Sequence, residues 1–226
     1  MVMPKQLAVL VEMGPKRKRF AAFARDWPGL ERGGKTAEEA VAALKPYVAR
    51  YGAIARRAGR EDELAVQRPL RVIDSYEGPG STDFWGVSFG IARTDRAALS
   101  DEELNRQLDL LEAVWAEFDS VGKRVSAELR KGPRGGGRDR ASVVRHVLMN
   151  EEQWAKQQLR MDVPVGSVLT SKGLRTHRRD FVKRIRELHS AGEPARRWPI
   201  RYLIRHTAYH NLDHAWEMED KDLSRS

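Results

Sequence analysis

Four stretches of helical spacing follow one another between Ser100 and Glu219, and they constrain the fold of more than half of the chain. Ser100-Asp101-Glu102-Glu103 reads as a capping box, in which the Ser hydroxyl takes one orphan amide and Glu103 reaches back for another. Leu104, Leu108, Leu111, Trp115 and Phe118 then recur at the spacing of a buried helix face. The pattern predicts helices near 101–130, 139–160, 171–190 and 199–219. Asp139 is the expected N-cap of the second. Pro199 stands at the first turn of the last, where a missing N–H costs nothing. Four such rods with short connections predict an antiparallel four-helix bundle, whose core is a common mount for a metal.

The N-terminal part has a different grain. Gln6–Glu12 is an apolar run ending at the turn signal Gly14-Pro15, and Arg19–Ala24 is a second extended run. Together they predict a β-hairpin. Thr36-Ala37-Glu38-Glu39 is another capping box and starts a helix. Pro46 is expected to break or kink it, with a further helical piece ending at Gly59. The expected fold class is therefore α+β: a small hairpin or sheet plus helix over 1–60, a linker with possible short strands over 61–99, and the bundle over 100–226. Leu70–Asp74 is the candidate strand in the linker. Phe84, Trp85 and Phe89 sit among glycines there. They can stack on a ligand, but anchoring the linker is the expected use.

Composition removes several classes of function. The chain of 226 residues, 41% hydrophobic and 32% charged, is that of a soluble globular protein with one large or two small domains. No apolar run is long enough to span a membrane, and Met1–Leu10 lacks a secretory pattern, so a cytoplasmic location is expected. The absence of cysteine excludes disulfides, Cys-ligated zinc, iron–sulfur clusters and thiol nucleophiles. A net charge of +9 points toward anionic partners. The cations are spread along the chain, however, with knots at Lys16–Arg19, Arg56–Arg60, Arg175–Arg186 and Arg196–Arg205. Such knots suit solvated faces, and nucleic acid is not the favoured partner.

Chemistry is concentrated near the C-terminus. His206, His210 and His214, three of the six histidines, stand one turn apart in Arg201–Glu219, which has no Pro or Gly. Successive members are displaced by about 6 Å and rotated by about 40°, so a metal site would use one pair plus a remote ligand. His146 is the candidate for that ligand. On the helix from about Asp139, it lies in line with Asn150, Gln153 and Gln157 between Val143, Val147 and Trp154, a stripe suited to a wet cleft. The preferred pair is His210 and His214, with His206 nearer the rim. Asp213, Glu217, Tyr209 and Asn150 are candidates for second-layer hydrogen bonds or proton transfer. The loop Gly132–Arg138 leads into the Asp139 cap, where Arg138 and Arg140 could hold an anion. It lacks a Gly-Lys-Ser/Thr ending, and a plain connector is the favoured use.

Residues 100–221 resemble the DinB-like superfamily of four-helix metalloproteins. The likeness rests on Gly135–His146, Gly-Gly-Gly-Arg-Asp-Arg-Ala-Ser-Val-Val-Arg-His, and on Trp198–Glu217, ending Ala-Tyr-His-Asn-Leu-Asp-His-Ala-Trp-Glu. It implies a divalent-metal site formed by His146, His210 and His214. Residues 5–58 resemble the HicB-like antitoxin domain through Phe20–Leu30 and Gly34–Ala40, without a separate DNA-binding segment. The resemblance implies a bacterial metalloenzyme acting on a small molecule. It would use Zn, Ni, Fe, Co or Mn either to activate a low-molecular-weight thiol for transfer to an electrophile or to acidify water for hydrolysis. The alternative is a non-enzymatic binding or regulatory protein with a protein or nucleic-acid partner and a structural metal or none. A homodimer is compatible with either reading.

Overall fold

The computed structural model describes residues 6–64, 69–132 and 136–225. These residues form an α+β protein with four strands and seven α-helices, in two compact units. The first unit holds the described residues up to Val114 together with Ile204–Tyr209. The second holds Trp115–Leu203 and the chain from His210 onward.

In the first unit, β1 (Leu7–Met13) and β2 (Phe20–Ala24) make the expected hairpin, and β3 (Glu31–Gly34) pairs antiparallel to β2. β4 (Leu70–Glu77) lies in the stretch expected as a linker. It runs parallel to β1 and completes the order β3-β2-β1-β4. Its register steps between Val9 and Leu10, leaving Ile73 as the extra residue. β1 is central and buried nearly throughout, whereas β4 is an edge strand with Val72 and Ile73 exposed. That difference explains why the first run is apolar except for Glu12 and the second mixed.

α1 (Ala37–Arg50) packs on β2 and β3 and buries Ala40, Leu44 and Val48. Thr36 Oγ1 accepts the Glu39 amide at 3.1 Å, and Glu39 reaches back to the Lys35 amide at 2.9 Å. Pro46 does not end this helix, contrary to expectation. The proline and Ala42, whose carbonyl it leaves without an amide donor, both sit on the exposed side, where water can serve that carbonyl. The break comes at Tyr51, before α2 (Gly52–Arg57), and Gly59 follows at φ +65°. Phe84 and Trp85 end α3 (Gly80–Trp85) and remain exposed, and beyond it Phe89 packs on His206.

A buried polar centre occupies this unit. Glu12 is fully buried and accepts hydrogen bonds from the Tyr76 hydroxyl (2.7 Å), the Ser88 hydroxyl (2.7 Å), Thr82 and the Phe89 and Gly90 amides. Gly78 packs so closely on this carboxylate that a Cβ there would stand 2.1 Å from Glu12 Oε1. Arg205 grips Asp95 through Nε (2.9 Å) and Nη2 (2.8 Å) and also donates to Ser88 Oγ and the Gly90 carbonyl. Although burial opposes its charge, Asp95, Tyr76 and Glu31 hold Arg205 above the ordinary arginine range.

Four long helices follow: α4 (Asp101–Arg124), α5 (Arg140–Leu159), α6 (Ser171–Ser190) and α7 (Ile200–Asp220). The Ser100 box is reciprocal, with the Glu103 amide 3.1 Å from Ser100 Oγ and the Ser100 amide 3.0 Å from Glu103 Oε2. Asp139 caps α5 through the Ser142 amide at 2.7 Å. α4 stops six residues short of the expected end at 130. Beyond it the Ser126 amide goes to Asp222 and the Arg130 amide to the Lys221 carbonyl, while Arg140 takes the Val125 and Ala127 carbonyls. These partners outcompete another helical turn. In the second unit Trp115 meets Phe181 edge-on, and Phe118, Val147, Ile185 and Leu212 are buried. Arg178 ties α6 to Glu151 of α5 and Asp119 of α4.

Candidate metal centre

α5 and α7 bring three imidazoles to one point. His146, His210 and His214 each offer a ring nitrogen, and these nitrogens lie within 4.8 Å of one another. His146 Nε2 and His210 Nε2 are 3.2 Å apart. Two nitrogens at about 2.0–2.1 Å from a tetrahedral ion would be separated by roughly 3.3 Å, so the pair already has the span of a chelate. A ring-to-ring hydrogen bond has the same length. The third ring distinguishes the arrangement, because His214 stands edge-on to both others, with centroids 5.1 and 4.8 Å away.

Neighbouring side chains orient His214 and His146. His214 Nδ1 lies 2.8 Å from Glu217 Oε2, so Nδ1 carries a proton and Nε2 is the nitrogen left to meet a metal. The hydrogen bond from His214, aided by Lys221 on the other oxygen, pulls the Glu217 carboxyl down to about 2. Burial lowers the His146 pKa, with Arg138 and His214 adding to the effect. Asn150 donates to the His146 carbonyl at 2.8 Å and lies 3.4 Å from its Nδ1. Trp154 stands edge-on to His210 at 5.1 Å and continues through Trp198 to Tyr202, forming an aromatic row beside the rings.

Of the candidate supporting residues, the structure brings Glu217 and Asn150 to the histidines. Asp213 and Tyr209 are half-buried, each one residue before a histidine and so about 100° around the helix from it. Arg138 is exposed and Arg140 is engaged with the Val125 carbonyl at 2.7 Å. Part of the loop Gly132–Arg138, residues 133–135, lies outside the described residues.

His206 is not at a rim. It belongs to the first unit, buried against Phe89 and donating to the Ser88 carbonyl, and burial with the nearby Arg205 charge pushes its pKa down to about 3. Sequence reasoning also missed His177 of α6, whose two buried ring nitrogens have no hydrogen-bond partner among the described residues. A readable signal did exist for the buried polar centre: Glu12 is the one charged residue in Leu7–Met13.

No family model matches the chain, and neither does any curated protein or solved structure. Among the described residues, no helix is long and apolar enough to cross a membrane.

Proposed function

We propose that the protein is a divalent-metal enzyme of the DinB-like kind. In this reading the C-terminal helices form a four-helix bundle, a HicB-like domain precedes it, and His146, His210 and His214 hold the ion. The observation that carries the proposal is the convergence of three ring nitrogens within 4.8 Å, one ring being anchored by a carboxylate. Three neutral ligands suit Zn, Ni, Fe, Co or Mn and leave room for a further ligand. Such an ion, when bound, lowers the pKa of water or of a low-molecular-weight thiol. With no cysteine in the chain, the thiol would come from a cosubstrate. Glu217 would orient His214, Asn150 would position His146, and the Trp154 row would keep water from one side of the rings. Thiol transfer to a small electrophile is the leading reaction, and hydrolysis uses the same residues.

The test is metal content by mass spectrometry on protein purified without a His tag, beside His146→Ala and His214→Ala. Stoichiometric metal lost from folded variants is the expected result, followed by turnover of an electrophile that depends on added thiol. Variants that unfold would indicate a structural ion and a binding protein. Wild-type protein that takes up no metal would overturn the proposal.

A further inference from the structure

A second site stands on the other side of α5. Val144 and Leu148 lie about 200° around that helix from His146. With Phe118, Gly122 and Leu174 they line a cavity of about 380 Å³ between α4, α5 and α6. Phe118 and Leu148 are buried, so its floor is apolar. Gly122 sits inside α4, where any Cβ would press on Val144 at 3.3 Å, and glycine there keeps the space open at a cost in helix propensity.

The rim is cationic. Lys123 and Arg175 reach the cavity, are exposed, and make no ion pair among the described residues. Arg178 also lines it, but Glu151 and Asp119 occupy its guanidinium. Three cations against two carboxylates leave a single positive charge, carried at the mouth. The first turn of α6 contains no acidic residue and adds its positive helix end. Asp119 at the same rim disfavours a polyanion. The volume falls within the span of small-molecule sites, about 300–1,000 Å³.

We propose that this cavity binds a small amphiphilic monoanion, an aliphatic or aryl carboxylate whose apolar body rests on Phe118, Leu148 and Leu174 while its carboxylate meets Lys123 and Arg175. Octanoate, octanol and octylammonium separate the charge from the apolar fill. Each is titrated into the full chain and followed through the methyl resonances of Val144, Leu148 and Leu174. Octanoate should bind most tightly and shift those methyls. The double variant Lys123→Gln, Arg175→Gln should weaken it by about tenfold and leave octanol unchanged. Gly122→Leu should abolish both. If that variant does not fold, the double variant decides, since both of its positions are exposed. Octylammonium binding as tightly as octanoate, methyl shifts confined to other residues, or an unaltered affinity in the double variant would each overturn the assignment.

Discussion

Glu217 lies one turn beyond His214 on α7, and its Oε2 is 2.8 Å from His214 Nδ1. A carboxylate can only accept here, so the contact fixes a proton on Nδ1 and leaves Nε2 as the nitrogen available to a metal. Partners of this kind orient a ligand and raise its basicity, and their loss typically weakens metal binding by about 10–100-fold. Glu217→Gln should therefore lower zinc affinity within that range in calorimetric titration, with an unchanged far-ultraviolet spectrum. Equal affinity in the two proteins would mean that His214 is not a ligand.

Metal should also stabilise the fold, because the three rings converge only in the native state. At free metal about 100 times the dissociation constant, the gain is about 2.7 kcal/mol, enough to raise the melting temperature by several degrees. Scanning with zinc, nickel, cobalt and manganese in turn should rank the ions. His210→Ala should erase the shift for all of them. A shift that survives this change would place the ion elsewhere.

Local signals made much of the architecture legible. The Ser100 and Thr36 boxes and the Asp139 cap fixed three helix starts, and α6 and α7 fall within a residue of their expected ends. His146, His210 and His214 could be grouped because spacing on two helices sorts side chains by face. His206 could not be placed the same way. Eight residues separate it from His214, a drift of about 80° around the helix, and only the surrounding structure decides which side is buried. Long-range partners account for the other gaps. β4 pairs with a strand more than fifty residues earlier, and Arg205 finds Asp95 across 110 positions. α4 ends early because Asp222 and Lys221 supply alternative partners that no window around residue 125 contains.

Burial of neutral His206 carries a pH signature. Desolvation and the Arg205 charge hold its pKa near 3, while in the unfolded chain it returns to the ordinary histidine range. Between those values the unfolded state binds the extra proton, so stability falls as pH drops. The slope should approach about 1.4 kcal/mol per pH unit. His206→Gln can keep a donor for the Ser88 carbonyl and cannot titrate. Its urea midpoint, measured in chelator at pH 7, 6 and 5, should fall less steeply than that of wild type. His177, lowered by burial in the second unit, leaves a residual slope of the same sign. Parallel curves would show that His206 takes up its proton at the same pH in the folded and the unfolded chain.

The carboxylate of Glu12 should be worth more than its burial suggests. Every group around it donates: two hydroxyls at 2.7 Å, Thr82, and the amides of Phe89 and Gly90. Glu12→Gln keeps the shape but turns an NH₂ toward these donors, leaving buried N–H and O–H groups opposed. Breaking a buried charged network in this way costs about 3–5 kcal/mol. Gly78→Ala should cost a similar amount by another route, since its methyl would overlap the carboxylate. Val72→Thr, at an exposed position of the neighbouring strand β4, should stay within about 0.5 kcal/mol. Urea unfolding of the three variants orders them. A Glu12→Gln cost as small as that of Val72→Thr would refute the arrangement in which every neighbour donates to this side chain.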